Sequence, residues 1–76
     1  MPRHRFEGFV PVDSGHIDGV RYDPMERVLA VRFKNGYVYH AHGVSSDDHQ
    51  AFMDASSPGE HYHQVIKPNY HVERVR

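Results

Sequence analysis

The sequence of 76 residues contains no cysteine and no tryptophan, and it carries no excess of either charge. Without cysteine, disulfide staples, thiolate zinc sites and cysteine nucleophiles are excluded, and packing alone must hold the fold. No window approaches the roughly 20 apolar residues of a membrane helix, and the opening Met-Pro-Arg-His-Arg-Phe-Glu has no apolar run of signal-peptide length. From these absences a cytoplasmic protein with no membrane partner is expected. Lys and Arg number 9 against 10 Asp and Glu, a net charge of -1 with histidine neutral, so nothing draws the whole chain to nucleic acid or anionic lipid. The six glycines are scattered and form no phosphate-cradling loop.

What the sequence does have is one domain's worth of apolar residues, at 38%, and eight histidines. Eight added protons would carry the net charge from -1 to +7, with much of the change between neutral and mildly acidic pH. Four of the histidines fall in two His-x-His pairs, His40/His42 and His61/His63.

Residues 1–11 show no sustained period and read as a flexible basic and aromatic arm. Val20 and Tyr22 then alternate with Arg21, and Leu29, Val31 and Phe33 with Ala30 and Arg32, which predicts strands near 16–22, 28–34 and 37–42. Asp23-Pro24 opens the first turn. The second turn, Lys34-Asn35-Gly36, decides which side chains share a face. A two-residue turn would put Val38, His40 and His42 on the face of Leu29, Val31 and Phe33. A three-residue loop with Gly36 left-handed puts Tyr37, Tyr39 and Ala41 there instead. The second register is expected, because burying phenol rings costs less than burying two imidazoles.

A serine followed by Asp47 and Asp48 predicts a short helix to about Ala55, with Phe52 and Met53 turned inward. Ser57-Pro58-Gly59-Glu60 is a serine cap, a proline at the first helical position and a capping-box glutamate, and it predicts a second helix ended near Lys67 by Pro68. Tyr62, Val65 and Ile66 form its expected packing stripe. Residues 71–76 are left as a tail, an edge strand or frayed, after a domain over 12–70. The predicted class is α+β, a three-stranded antiparallel meander followed by two short helices on one face.

The set Ser14, Ile17, Val20, Tyr22, Asp23, then Leu29, Val31, Phe33, Gly36, Tyr39, then Val44, Phe52, Ala55, Ser57, Gly59, Tyr62, Ile66 and Tyr70 resembles the KTSC domain over about residues 13–70. That family is named for its occurrence at the C-terminus of some lysyl-tRNA synthetases and includes short stand-alone proteins of bacteria and their phages. The resemblance implies the same small α+β fold and implies no catalytic activity. Ala41, Ser45, Asp48, His49, His61 and His63 depart from the family pattern, and the resemblance implies that His49 and His61 replace amphipathic rings in packing.

Chemistry is sparse. In a helix, residues two apart point about 200° from each other, so His61 and His63 cannot share one ion. His40 and His42 share a strand face and could form half a metal site, with His16 or His71 as further ligands, but no full ligand set is visible and no metal or cofactor is expected. No nucleophile-elbow pattern supports a Ser/His/Asp triad. Binding is the better use of these residues. With helices on one face of the sheet, the other should present Arg21, Val28, Ala30, Arg32, Val38, His40 and His42 to a partner, joined by Arg3, Arg5, Arg74 and Arg76 from the chain ends. A protein partner is expected over RNA, because the charge is near neutral, and no small-molecule substrate is expected.

Overall fold

The computed structural model describes residues 8–12 and 14–76. Among these residues one antiparallel sheet holds five strands in chain order: β1 (Val10–Pro11), β2 (Ile17–Asp23), β3 (Val28–Phe33), β4 (Val38–His42) and β5 (His71–Arg74). Between β4 and β5 come α1 (Ser46–Asp54) and a helical run over 58–69: α2 (Pro58–His61), a π-helical segment (Tyr62–Ile66) and α3 (Lys67–Asn69).

The expected three strands are therefore the middle of a larger sheet. The end of the supposed arm is strand β1, pairing Val10 with Val20 and Pro11 with Gly19. The tail is strand β5, pairing Tyr39 with Arg74 and His42 with His71. Both are edge strands, where a proline without an N–H is tolerated and pairing uses backbone groups that any residue supplies. The expected arm residues 1–7, with Arg3 and Arg5, lie outside the described residues.

The second turn closes as a three-residue loop. Phe33 N donates to the Tyr37 carbonyl at 2.8 Å, Gly36 adopts φ +95°, and Asn35 Oδ1 accepts from Tyr37 N at 3.0 Å. Val31 consequently faces Tyr39, Leu29 faces Ala41, and Ala30 faces His40, as the cost of burying imidazole required. A β-bulge at Asp18 shifts the phase of β2, so that Ile17 and Val20, three apart, both point into the core.

Ser45 caps α1 by accepting from Asp48 N at 3.1 Å, and Ser57 caps α2 by accepting from Glu60 N at 3.5 Å. Pro68 does not end the second helix at Lys67; helix continues to Asn69. A proline ring inside a helix clashes with the carbonyl four residues back, and the wider π-helical turn just before it relieves that clash. The Val65 carbonyl then accepts from Asn69 Nδ2 at 2.7 Å. Tyr62 and Ile66, four apart on one helix face, are buried together, while Val65, expected in the stripe, is turned out to 36% exposure.

The core lies between the sheet and the helices: Ile17, Val20, Leu29, Val31, Ala41, Val44, Phe52, Tyr62 and Ile66, with Val12, Tyr22, Phe33, Met53, Tyr70 and Val72 around it. Among the described residues no helix is long and apolar enough to cross a membrane.

Candidate binding face of the sheet

The face of the sheet turned away from the helices is built by the alternation of β2 to β5. The pairs Arg21–Ala30, Ala30–His40 and His40–Glu73 place Arg21, Ala30, His40 and Glu73 in one row across four strands. A neighbouring row contains Arg32 and Val38, and another contains Val28, His42 and His71.

Ala30 and Val38, expected to be displayed here, are instead buried, at 4% and 5% exposure. They are the floor of a hollow of about 410 Å³ walled by Phe9, Arg21, His40, Val75 and Arg76. A second hollow of about 280 Å³ adjoins it, sharing Arg21, Ala30 and His40 and bordered by Asp23, Glu26, Val28 and His42. The depth comes from Ala30, whose single methyl stands between two long side chains.

Arg32 is held at the rim. Its Nε donates to Asp18 Oδ2 at 2.9 Å, and its guanidinium stacks 4.5 Å from the Phe9 ring centroid. Gly19 is constrained beneath this contact, since a Cβ there would come within 3.2 Å of the Val10 carbonyl oxygen. Arg74, expected from the sequence as a basic group of the chain end, lies on the opposite side of the sheet: strand alternation turns it to the side of Tyr39, where its guanidinium covers the Tyr37 ring at 4.3 Å. The contributions of Phe9, Glu73 and Val75 were missed by sequence reasoning. Only the pairing of the two edge strands brings them here.

The imidazoles gather along β4 and β5. The rings of His40 and His42 are 6.2 Å apart, and those of His42 and His71 are 5.6 Å apart. Glu73 Oε1 lies 3.9 Å from His42 Nε2 and 3.6 Å from His71 Nε2, the partly exposed contacts of a shared carboxylate. Burial holds the His40 imidazole below its ordinary pKa, aided by repulsion from His42, opposed by Glu73 and lowered further by Arg21. Among the described residues no three His, Asp or Glu side chains are arranged to hold a metal ion. His16 sits at the far end of the sheet from His42, since its neighbour Ile17 pairs with Phe33 while His42 pairs with Val28.

His49 and His61 pack against aromatic rings. His49 stacks flat on Tyr22, and His61 meets the edge of Phe52 with centroids 5.9 Å apart. A third hollow, about 530 Å³, lies between residues 14–16 and 56–64 and contains Ser14, His16, Ser57 and His63. Both of its Ser14 and Ser57 hydroxyls are engaged with backbone: Ser14 Oγ accepts from His16 N and Ile17 N, and Ser57 Oγ from Glu60 N.

The KTSC-domain profile matches residues 13–70. The chain belongs to the KTSC family. A crystal structure of the KTSC domain protein of Yersinia pestis superposes with a TM-score of 0.81 at 35% identity, covering 90% of this chain and 96% of that one. An uncharacterized protein of Stutzerimonas stutzeri is 34% identical over 62 residues, 82% of this chain and 87% of its own. A protein of Tsukamurella paurometabola is 33% identical over 60 residues, 79% of this chain and 90% of its own. In this KTSC domain both edge strands lie outside the matched segment, as do Phe9, Val75 and Arg76 of the wall of the first hollow, while Arg21 and His40 lie inside it.

Proposed function

We propose that this KTSC domain is a non-catalytic protein-interaction module that docks a partner on the helix-free face of its sheet. It would serve in the bacterial cytoplasm as an adaptor or regulator on a larger machine such as the transcription or translation apparatus. The observation that carries the reading is the hollow of about 410 Å³ over Ala30 and Val38, apolar at its floor and ringed by Arg21, His40 and Arg76. A desolvated apolar centre inside a polar rim enriched in arginine is how protein interfaces are built.

The test is affinity capture from host lysate with the wild-type chain, Arg21→Glu on the proposed face and Val65→Glu on the helices. Proteins retained by wild type and Val65→Glu but lost by Arg21→Glu support the docking face. A capture set indifferent to Arg21→Glu removes it. The RNA-binding alternative has its own outcome: micromolar binding of generic RNA that weakens steeply with added salt would assign the face to nucleic acid.

A further inference from the structure

The row Arg21–Ala30–His40–Glu73 has a gap in it. Adjacent strands are about 4.8 Å apart, so Arg21 and His40 stand roughly 10 Å apart across the sheet with only a methyl group between them. We propose that this gap over Ala30 receives a carboxylate side chain from an extended peptide segment of the partner. The inference rests on the docking function proposed above and names its ligand.

The chemistry of the gap selects an anion. Arg21 offers a planar fork of donors suited to a carboxylate, and His40 faces it from the other side with an imidazole that can donate. Glu73 stands beyond His40 in the same row and favours its protonated form. The remaining charged and titratable groups close by are Arg76 on the wall of the first hollow, His42 on the same strand, His71 on β5, Arg32 with its partner Asp18, and Asp23 and Glu26 at the first turn.

The shape selects an extended chain. The two hollows lie end to end along the strands, over Val38, His40 and His42 on β4 and Ala30 and Val28 on β3. These floor positions repeat every second residue, about 7 Å, which is the spacing of alternate side chains in an extended peptide. A carboxylate over Ala30 puts the neighbouring downward side chains over Val38, Phe9 and Val75 at one end and beside Asp23 and Glu26 at the other. The fitting segment is apolar, any, acidic, any, basic. A nucleic-acid strand fits poorly, because its next phosphate along the trough would meet Asp23 and Glu26.

The test uses the full chain, isotope-labelled, titrated with two mixtures of capped pentapeptides. Both have an apolar first residue and lysine last; one has glutamate at the centre and the other glutamine. We expect the glutamate mixture to move the amide signals of Arg21, Ala30, Val38 and His40, and glutamine at the centre to weaken binding roughly tenfold. Arg21→Gln, an exposed position that leaves the core intact, should weaken the glutamate mixture to the same degree. Ala30→Leu should do so by filling the gap. A bound carboxylate favours protonated His40, so lowering the pH from 7.5 to 5.8 should tighten binding about three- to tenfold. Equal affinity for the two mixtures would overturn the carboxylate site while leaving peptide docking in place. Signals on this face that move with neither mixture at millimolar concentration, or only with generic RNA, would overturn both.

Discussion

The imidazole of His49 lies flat on the phenol ring of Tyr22, 4.3 Å between centroids and 14° between planes, while the Tyr22 hydroxyl donates to the Val44 carbonyl at 2.6 Å. One tyrosine thus ties the start of the helices to β2. Tyr22→Phe leaves the stack but strips the carbonyl of its donor, and should cost about 1 kcal/mol. His49→Phe should retain most stability and His49→Ala lose about 1 kcal/mol, read from urea midpoints. An alanine variant as stable as wild type would show that the stack contributes nothing.

Acid should weaken the fold. Burial lowers the pKa of His49, and burial with repulsion from His42 lowers that of His40. Below the unfolded value of 6.5 the unfolded chain takes up these protons before the native one does. Their contribution is therefore complete above pH 6.5 and shrinks as the pH falls below it. Urea midpoints at pH 7.5 and 5.5 should show the decline, and His49→Phe should reduce it. A midpoint that rises on acidification contradicts the assignment.

At the alkaline end the controlling group is Tyr62, 2% exposed, whose hydroxyl is pushed up to about 12 by burial and by Tyr39. Between pH 10 and 12 the unfolded chain releases this proton and the folded one keeps it, so stability falls through that window. The loss attributable to Tyr62 is roughly 3 kcal/mol. Tyr62→Phe should move the alkaline unfolding midpoint upward; an unchanged midpoint would place the weakness elsewhere.

Gly36 is the hinge of the register, with φ +95° and open space where a side chain would go. Gly36→Val meets no neighbour but suffers the backbone penalty of the left-handed region, on the order of 1–2 kcal/mol. Thermal unfolding is the simplest check, and Gly15→Val, at a glycine whose Cβ would also meet nothing, is the control without that penalty.

Much of the centre of the fold was legible in the sequence. Asn35-Gly36 and the cost of burying imidazole set the hairpin register, and a serine before Asp47, either Ser45 or Ser46, and Ser57 marked both helix starts, the structure giving the first cap to Ser45. The packing roles that the family resemblance implied for His49 and His61 are those the structure shows. The open face was assigned from alternation alone, and Arg21, Arg32 and His40 are on it. Arg74 was expected only as a basic group of the chain end, and nothing local revealed the strand phase of residues 71–74 that turns it to the side of Tyr39.

The amino-acid sequence by itself determined what depends on near neighbours: turn dihedrals, helix caps, the alternation of faces, and the inward turn of Tyr39 and Ala41. Only the tertiary structure decided the two edge strands, the π-helical turn around Pro68, and the sinking of Ala30 and Val38 beneath the side chains of Arg21 and His40. Edge pairing is made by backbone N–H and C=O groups common to every residue, so it leaves little trace in side-chain pattern. A hollow is a relation among distant strands, and it exists only once they have met.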